Sequence, residues 1–104
     1  MSASAVSLDL SALPPICRAY RVRSLDVFGS AATGRFDPVH SDVDVLVTFE
    51  NMEAGLYADA YFGLHAALET LFARRVDLLT DRSIENPFLR RSVDATRRRL
   101  YTSS

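Results

Sequence analysis

No run of this chain is apolar for long enough to cross a membrane, which excludes a helical span on hydropathy alone. There is one cysteine, Cys17, so no internal disulfide can form. A reducing compartment is therefore compatible, and a cytoplasmic location is expected. There is no lysine: all twelve basic residues are arginine, and no function is drawn from that bias. A basic n-region is missing from the start, and Asp9 interrupts its apolar character, so it makes a poor signal peptide. The net charge is only −1, which gives no general attraction to nucleic acid or to an anionic membrane. Repeats, low-complexity tracts and domain linkers are also missing.

What remains is ordinary globular composition, 48% hydrophobic and 24% charged, over 104 residues. That length suits one domain, 1–104, with a core large enough to fold alone. The small polar lead Met1 to Ser7 is expected to fray.

The chain is organised around Leu25 to Phe49. Leu25-Asp26-Val27-Phe28 is a short apolar run stopped by Gly29-Ser30. After a polar passage comes Ser41-Asp42-Val43-Asp44-Val45-Leu46-Val47-Thr48-Phe49, a strand-like run carrying two carboxylates two positions apart. Alternate side chains of a strand share a face, so Asp42 and Asp44 point together while Val43 and Val45 point away. Their Cα atoms are expected about 6–7 Å apart at a rise of about 3.3 Å per residue. Carboxylates so placed can converge on one cation, or clamp two cations about 3.5–4 Å apart. Without a cation they repel and resist burial. Oxygen-only ligands suit a hard ion such as magnesium.

Gly29 lets the chain turn sharply and approach a ligand closely. Ser30 adds a hydroxyl where a short helix over Ala31-Ala32 could begin, and a helix N-terminus attracts phosphate. A third carboxylate lies in Arg75-Val76-Asp77-Leu78-Leu79-Thr80, another strand-like run. Paired beside the first, it brings Asp77 to the same cations, or to the proton of an attacking hydroxyl.

Gly-Ser, a spacer, Asp-x-Asp in an apolar strand and a later Val-Asp-Leu resemble the minimal nucleotidyltransferase (MNT) family of the DNA polymerase β superfamily. The likeness runs from about Leu13 to Tyr101. It includes Phe28-Gly29-Ser30-Ala31, Phe36-Asp37-Pro38, Ser41-Asp42-Val43-Asp44 and Asn86-Pro87-Phe88-Leu89-Arg90. The spacer Ala31 to Ser41 is one residue longer than usual in the family, a change that a surface loop absorbs easily. Thr33 stands where the family often has arginine, with Arg35 two places later.

The resemblance implies transfer of a nucleoside monophosphate, AMP from ATP, to an acceptor hydroxyl. It implies that Asp42, Asp44 and Asp77 hold two magnesium ions and that Gly29 and Ser30 contact the triphosphate. Larger relatives add an acceptor-binding domain, so a protein partner is expected to supply the acceptor here. The partner that the resemblance suggests is a helical HEPN-type ribonuclease toxin, for which the MNT protein is the antitoxin. Two alternatives stand beside it: an inactive MNT-like module that acts by contact alone, and a small-molecule nucleotidyltransferase.

The expected fold is α/β: a small mixed sheet of three or four strands with helices mainly on one face and a cleft along the sheet edge. A first helix is expected from Pro14 to about Arg21, because proline suits a first turn. Cys17 reads as core filler. Asn51 to Arg75 reads as an amphipathic helix capped by Asn51, with Tyr57, Tyr61, Leu64, Leu68, Leu71 and Phe72 on its inner stripe. The aromatic residues there read as core, and His65 as a satisfied or exposed side chain without a partner histidine. His40 reads as loop polarity. A last helix from Asn86 to about Tyr101 is expected to bury Phe88, Leu89, Val93, Thr96 and Leu100. Its arginines Arg90, Arg91, Arg97, Arg98 and Arg99 are expected on a solvated face.

Overall fold

The computed structural model describes residues 10–29 and 42–103. The residues between, including Ser30, Phe36-Asp37-Pro38 and His40, lie outside the described residues, as does the Met1 to Ser7 lead.

A 3-10 turn, Leu10–Ala12, leads into helix α1, Leu13–Ala19, with its prolines in the first turn. Strands β1, Val22–Phe28, and β2, Val43–Phe49, follow. Helix α2 spans Ala54–Phe72 and leads to strand β3, Val76–Thr80. A 3-10 turn, Asp81–Ser83, precedes helix α3, Pro87–Thr96, and strand β4, Arg98–Thr102, closes the chain. The sheet order is β3-β2-β1-β4. β1 is antiparallel to β2 and β4, whereas β2 and β3 are parallel. The expected mixed α/β sheet is therefore the observed one.

Strand alternation sorts the side chains into two layers. On one face Leu25, Val27, Val43, Val45, Val47, Val76 and Leu78 pack with Leu13 and Cys17 of α1 and Leu64, Leu68 and Phe72 of α2. Cys17 is fully buried there, and burial pushes its thiol up to about 11, so it is inert filler. On the other face a smaller cluster joins Phe28, Leu46, Ile84 and Val93.

β3 is an edge strand, and its outer backbone groups need partners. α2 supplies them at four-residue intervals. The Tyr61 hydroxyl donates to the Leu78 carbonyl, and His65 Nε2 donates to the Val76 carbonyl at 2.8 Å. The Val76 amide donates to Glu69 Oε2 at 2.9 Å. His65 is thus a satisfied histidine.

Three expectations are corrected. α2 is preceded by Glu53 and receives no side-chain cap, so Asn51 does not cap it. α3 is, as expected, capped by the Asn86 side chain, which accepts from the amides of Phe88 and Leu89. That helix stops at Thr96, and the last segment is a strand. The cause is Asp26, only 2% exposed on β1. Arg97 binds its Oδ2 through Nη2 at 2.6 Å, and Arg99 binds its Oδ1. A buried carboxylate must be paired, and extended backbone presents alternate arginines to it where a helix would splay them. Phe88 and Leu89 also stay exposed, at 75% and 38%, and only Val93 of the expected stripe is buried.

Asp26→Ala is expected to lower stability by about 2 kcal/mol, because the charged contacts to two arginines vanish although the freed arginines can reach water. Arg91→Ala, on an exposed residue, is expected to stay within about 0.5 kcal/mol of the parent. Thermal or urea unfolding of the two variants checks both values.

Candidate active site

The inward-packing valines decide where the carboxylates go. With Val43 and Val45 of β2 and Val76 and Leu78 of β3 committed to the α1/α2 layer, Asp44 and Asp77 must occupy the opposite face. The parallel register pairs them directly, Asp44 with Asp77. Paired strands stand about 4.8 Å apart, so the two side chains are immediate neighbours. Asp42 sits one residue before β2 and is exposed, while the Val43 amide donates to the Arg75 carbonyl at 3.0 Å and ties the two strand entrances together.

Asp44 is half-buried, and its carboxyl is pushed up to about 6. Burial is the main cause, followed by the charges of Asp77 and Asp42. The Tyr61 hydroxyl is raised as well, by burial and then by Asp77. Among the described residues no arginine forms an ion pair with any of these three aspartates. No group of three His, Cys, Asp or Glu side chains among the described residues forms a ready-made metal cluster. The tight element is the Asp44–Asp77 pair, with Asp42 at its rim.

Gly29 ends β1 beside the pair, since Phe28 is the register partner of Asp44. Its φ is +71°, a left-handed conformation that glycine adopts freely. A Cβ on Gly29 would lie 2.7 Å from Asp44 Oδ2, so only glycine lets the turn press on the carboxylate. The Gly29 amide is already engaged, donating to Thr96 Oγ1 at 2.9 Å.

Sequence reasoning brought Gly29, Asp42, Asp44 and Asp77 to one end of the sheet, and the described residues lie there; Ser30 falls outside them. Sequence reasoning missed Asp26 and Thr96. A lone aspartate within an apolar strand was the available signal for Asp26, whereas nothing in the sequence pointed to Thr96. Of the arginines expected on a solvated face, Arg90 pairs with Asp81 at 2.8 Å, whereas Arg97 and Arg99 turn inward to the buried Asp26, which corrects that expectation for these two.

The sequence profile of the nucleotidyltransferase domain matches residues 11–100. The chain belongs to this family. A candidate protein adenylyltransferase of Methanocaldococcus jannaschii is 35% identical over 75 residues, covering 72% of this chain and 73% of that protein. A second such protein from the same organism is 33% identical over the same length, 72% of each chain. A solved structure described as a candidate minimal nucleotidyltransferase superposes with a TM-score of 0.67 at 33% identity, covering 86% of both chains. The MNT resemblance read from the motifs is thereby borne out. The fold is shared as well with a chain of a toxin–antitoxin crystal structure containing AMP-PNP (TM-score 0.68, 21% identity, 93% of this chain and 76% of that one). It is shared too with a chain from a complex of a tri-AMPylated Shewanella oneidensis HEPN toxin with an MNT antitoxin (TM-score 0.58, 20% identity, 90% and 70%).

The raised Asp44 carboxyl gives this nucleotidyltransferase domain a pH signature. A group held near 6 when folded and near 3.8 when unfolded binds its proton more tightly in the native state. Its contribution to stability therefore falls as pH rises from about 4 through 6. Asp44→Asn is expected to be more stable than the parent at pH 8 by about 1 kcal/mol, after allowance for partial solvent screening. The difference should close below pH 4. Urea unfolding across pH 4–8 measures it. Gly29→Ala is expected to cost about 2 kcal/mol at any pH, since it combines backbone strain with overlap on Asp44.

Proposed function

We propose that this protein is a magnesium-dependent nucleotidyltransferase that moves AMP from ATP to a hydroxyl on a protein partner, acting as antitoxin to a HEPN-type toxin. The observation that carries the proposal is the side-by-side pairing of Asp44 and Asp77 under the Gly29 turn. The names of the Methanocaldococcus relatives, and the toxin–antitoxin setting of proteins that share the fold, support the choice of donor, acceptor and partner.

The donor set fits a hard divalent cation. It is all carboxylate, with Asp44 half-buried and Asp42 and Asp77 exposed, and it forms no ion pair with an arginine among the described residues. Two close carboxylates suit magnesium, which keeps waters and completes its shell from phosphates. In this reading Asp42, Asp44 and Asp77 hold two ions, which when bound would neutralise charge on the triphosphate. Gly29 and Ser30 contact the nucleotide tail in this reading. Asp77 orients the acceptor hydroxyl and takes its proton as the oxygen attacks the α-phosphorus in line and pyrophosphate leaves. Residues 1–104 act as one domain, and the reading implies action in the cytoplasm. Among the described residues no helix is long and apolar enough to cross a membrane.

Incubation with labelled ATP, magnesium and the toxin is expected to label the toxin, and Asp42→Ala with Asp44→Ala to abolish the transfer. A double variant that still neutralises the toxin in cells, with a parent that binds no nucleotide, would instead establish inhibition by contact alone. Magnesium ATP at about a hundred times its Kd is expected to stabilise the parent by about 2.7 kcal/mol, read as a rise in unfolding temperature.

A further inference from the structure

We infer that Thr96 is a positioning residue, holding the Gly29 turn against Asp44 so that the nucleotide tail meets a preset cradle. The inference rests on the nucleotidyltransferase reading and adds to it a residue outside the motifs.

The Thr96 hydroxyl has one proton and spends it on the Ser92 carbonyl, 2.8 Å away in the preceding turn of α3. That leaves its lone pairs to accept from the Gly29 amide at 2.9 Å. The hydroxyl is therefore oriented before it meets the turn. Its own position is fixed by the next residue. Arg97 donates through Nε to Asp26 Oδ2 at 2.8 Å and pairs with Asp94 at 3.2 Å. Asp26 lies on β1, three residues before Gly29. A closed circuit results: β1 carries Asp26, Asp26 holds Arg97, Thr96 stands beside Arg97, and Thr96 returns to Gly29 at the end of β1. With its amide held by Thr96, Gly29 loses little further freedom when a ligand arrives, which is the advantage of preorganisation.

With its N–H committed to Thr96, Gly29 serves the site by its lack of a Cβ.

Thr96→Val keeps the shape and removes the acceptor, and Thr96→Ser keeps the acceptor. Binding of magnesium with AMP-PNP is measured by calorimetry at 25 °C, together with hydrogen exchange at the Gly29 amide. Thr96→Val is expected to weaken binding about tenfold, the usual consequence of losing one hydrogen bond, and to speed Gly29 exchange. KM for ATP should rise more than kcat falls. Thr96→Ser should stay within about twofold of the parent, and Thr96→Ala should behave as Thr96→Val if the valine folds poorly. A merely structural role would lower the unfolding temperature and leave the affinity of the folded protein unchanged, and that result overturns the inference. Failure of the parent itself to bind the analogue overturns the nucleotidyltransferase reading, and the Thr96 role with it.

Discussion

Two like charges stand opposite each other on neighbouring strands, an arrangement that costs stability wherever it occurs. The parallel register of β2 and β3 imposes it on Asp44 and Asp77. Val43, Val45 and Val47 on one strand and Val76 and Leu78 on the other are buried under α1 and α2. A slip of one residue in either strand would drive its carboxylate into that layer and expose its apolar side chains. The hydrophobic effect thus holds a repulsive pair in place, and Tyr61, His65 and Glu69 of α2 fasten the edge strand that carries one member of it.

The two faces of the sheet are organised by different forces. One is a packed apolar layer. The other is sparse in apolar contacts and is organised by charge, with Asp26 drawing Arg97 and Arg99 inward and thereby turning the end of the chain into β4. Such an ion cluster is a weak source of net stability but a strong selector of one conformation. Here it selects the conformation in which the end of α3 reaches the Gly29 turn.

Local pattern carried much of this into view. Valines alternating with aspartates announced strands with one charged face, and Gly-Ser after an apolar run announced the turn. The long amphipathic repeat announced α2. The segment from Asn86 onward departs from its local pattern. The spacing of Val93, Thr96 and Leu100 suits a helix, yet Phe88 and Leu89 remain in solvent and the helix ends early. Helical periodicity in a short segment is a local preference, and the pull of a buried carboxylate on two arginines about seventy positions away outweighs it.

The sequence by itself determined the residue types and spacings of the site: three aspartates on strand-forming runs and a glycine after the first strand. Those depend on neighbours in the chain, where steric preference and side-chain alternation act. Tertiary structure alone decided that Asp44 faces Asp77 in register, that Asp26 is buried and claims two distant arginines, and that Thr96 closes on Gly29. Each of these joins segments far apart in sequence, and burial and charge pairing acquire their strength only once the chain has brought those segments together.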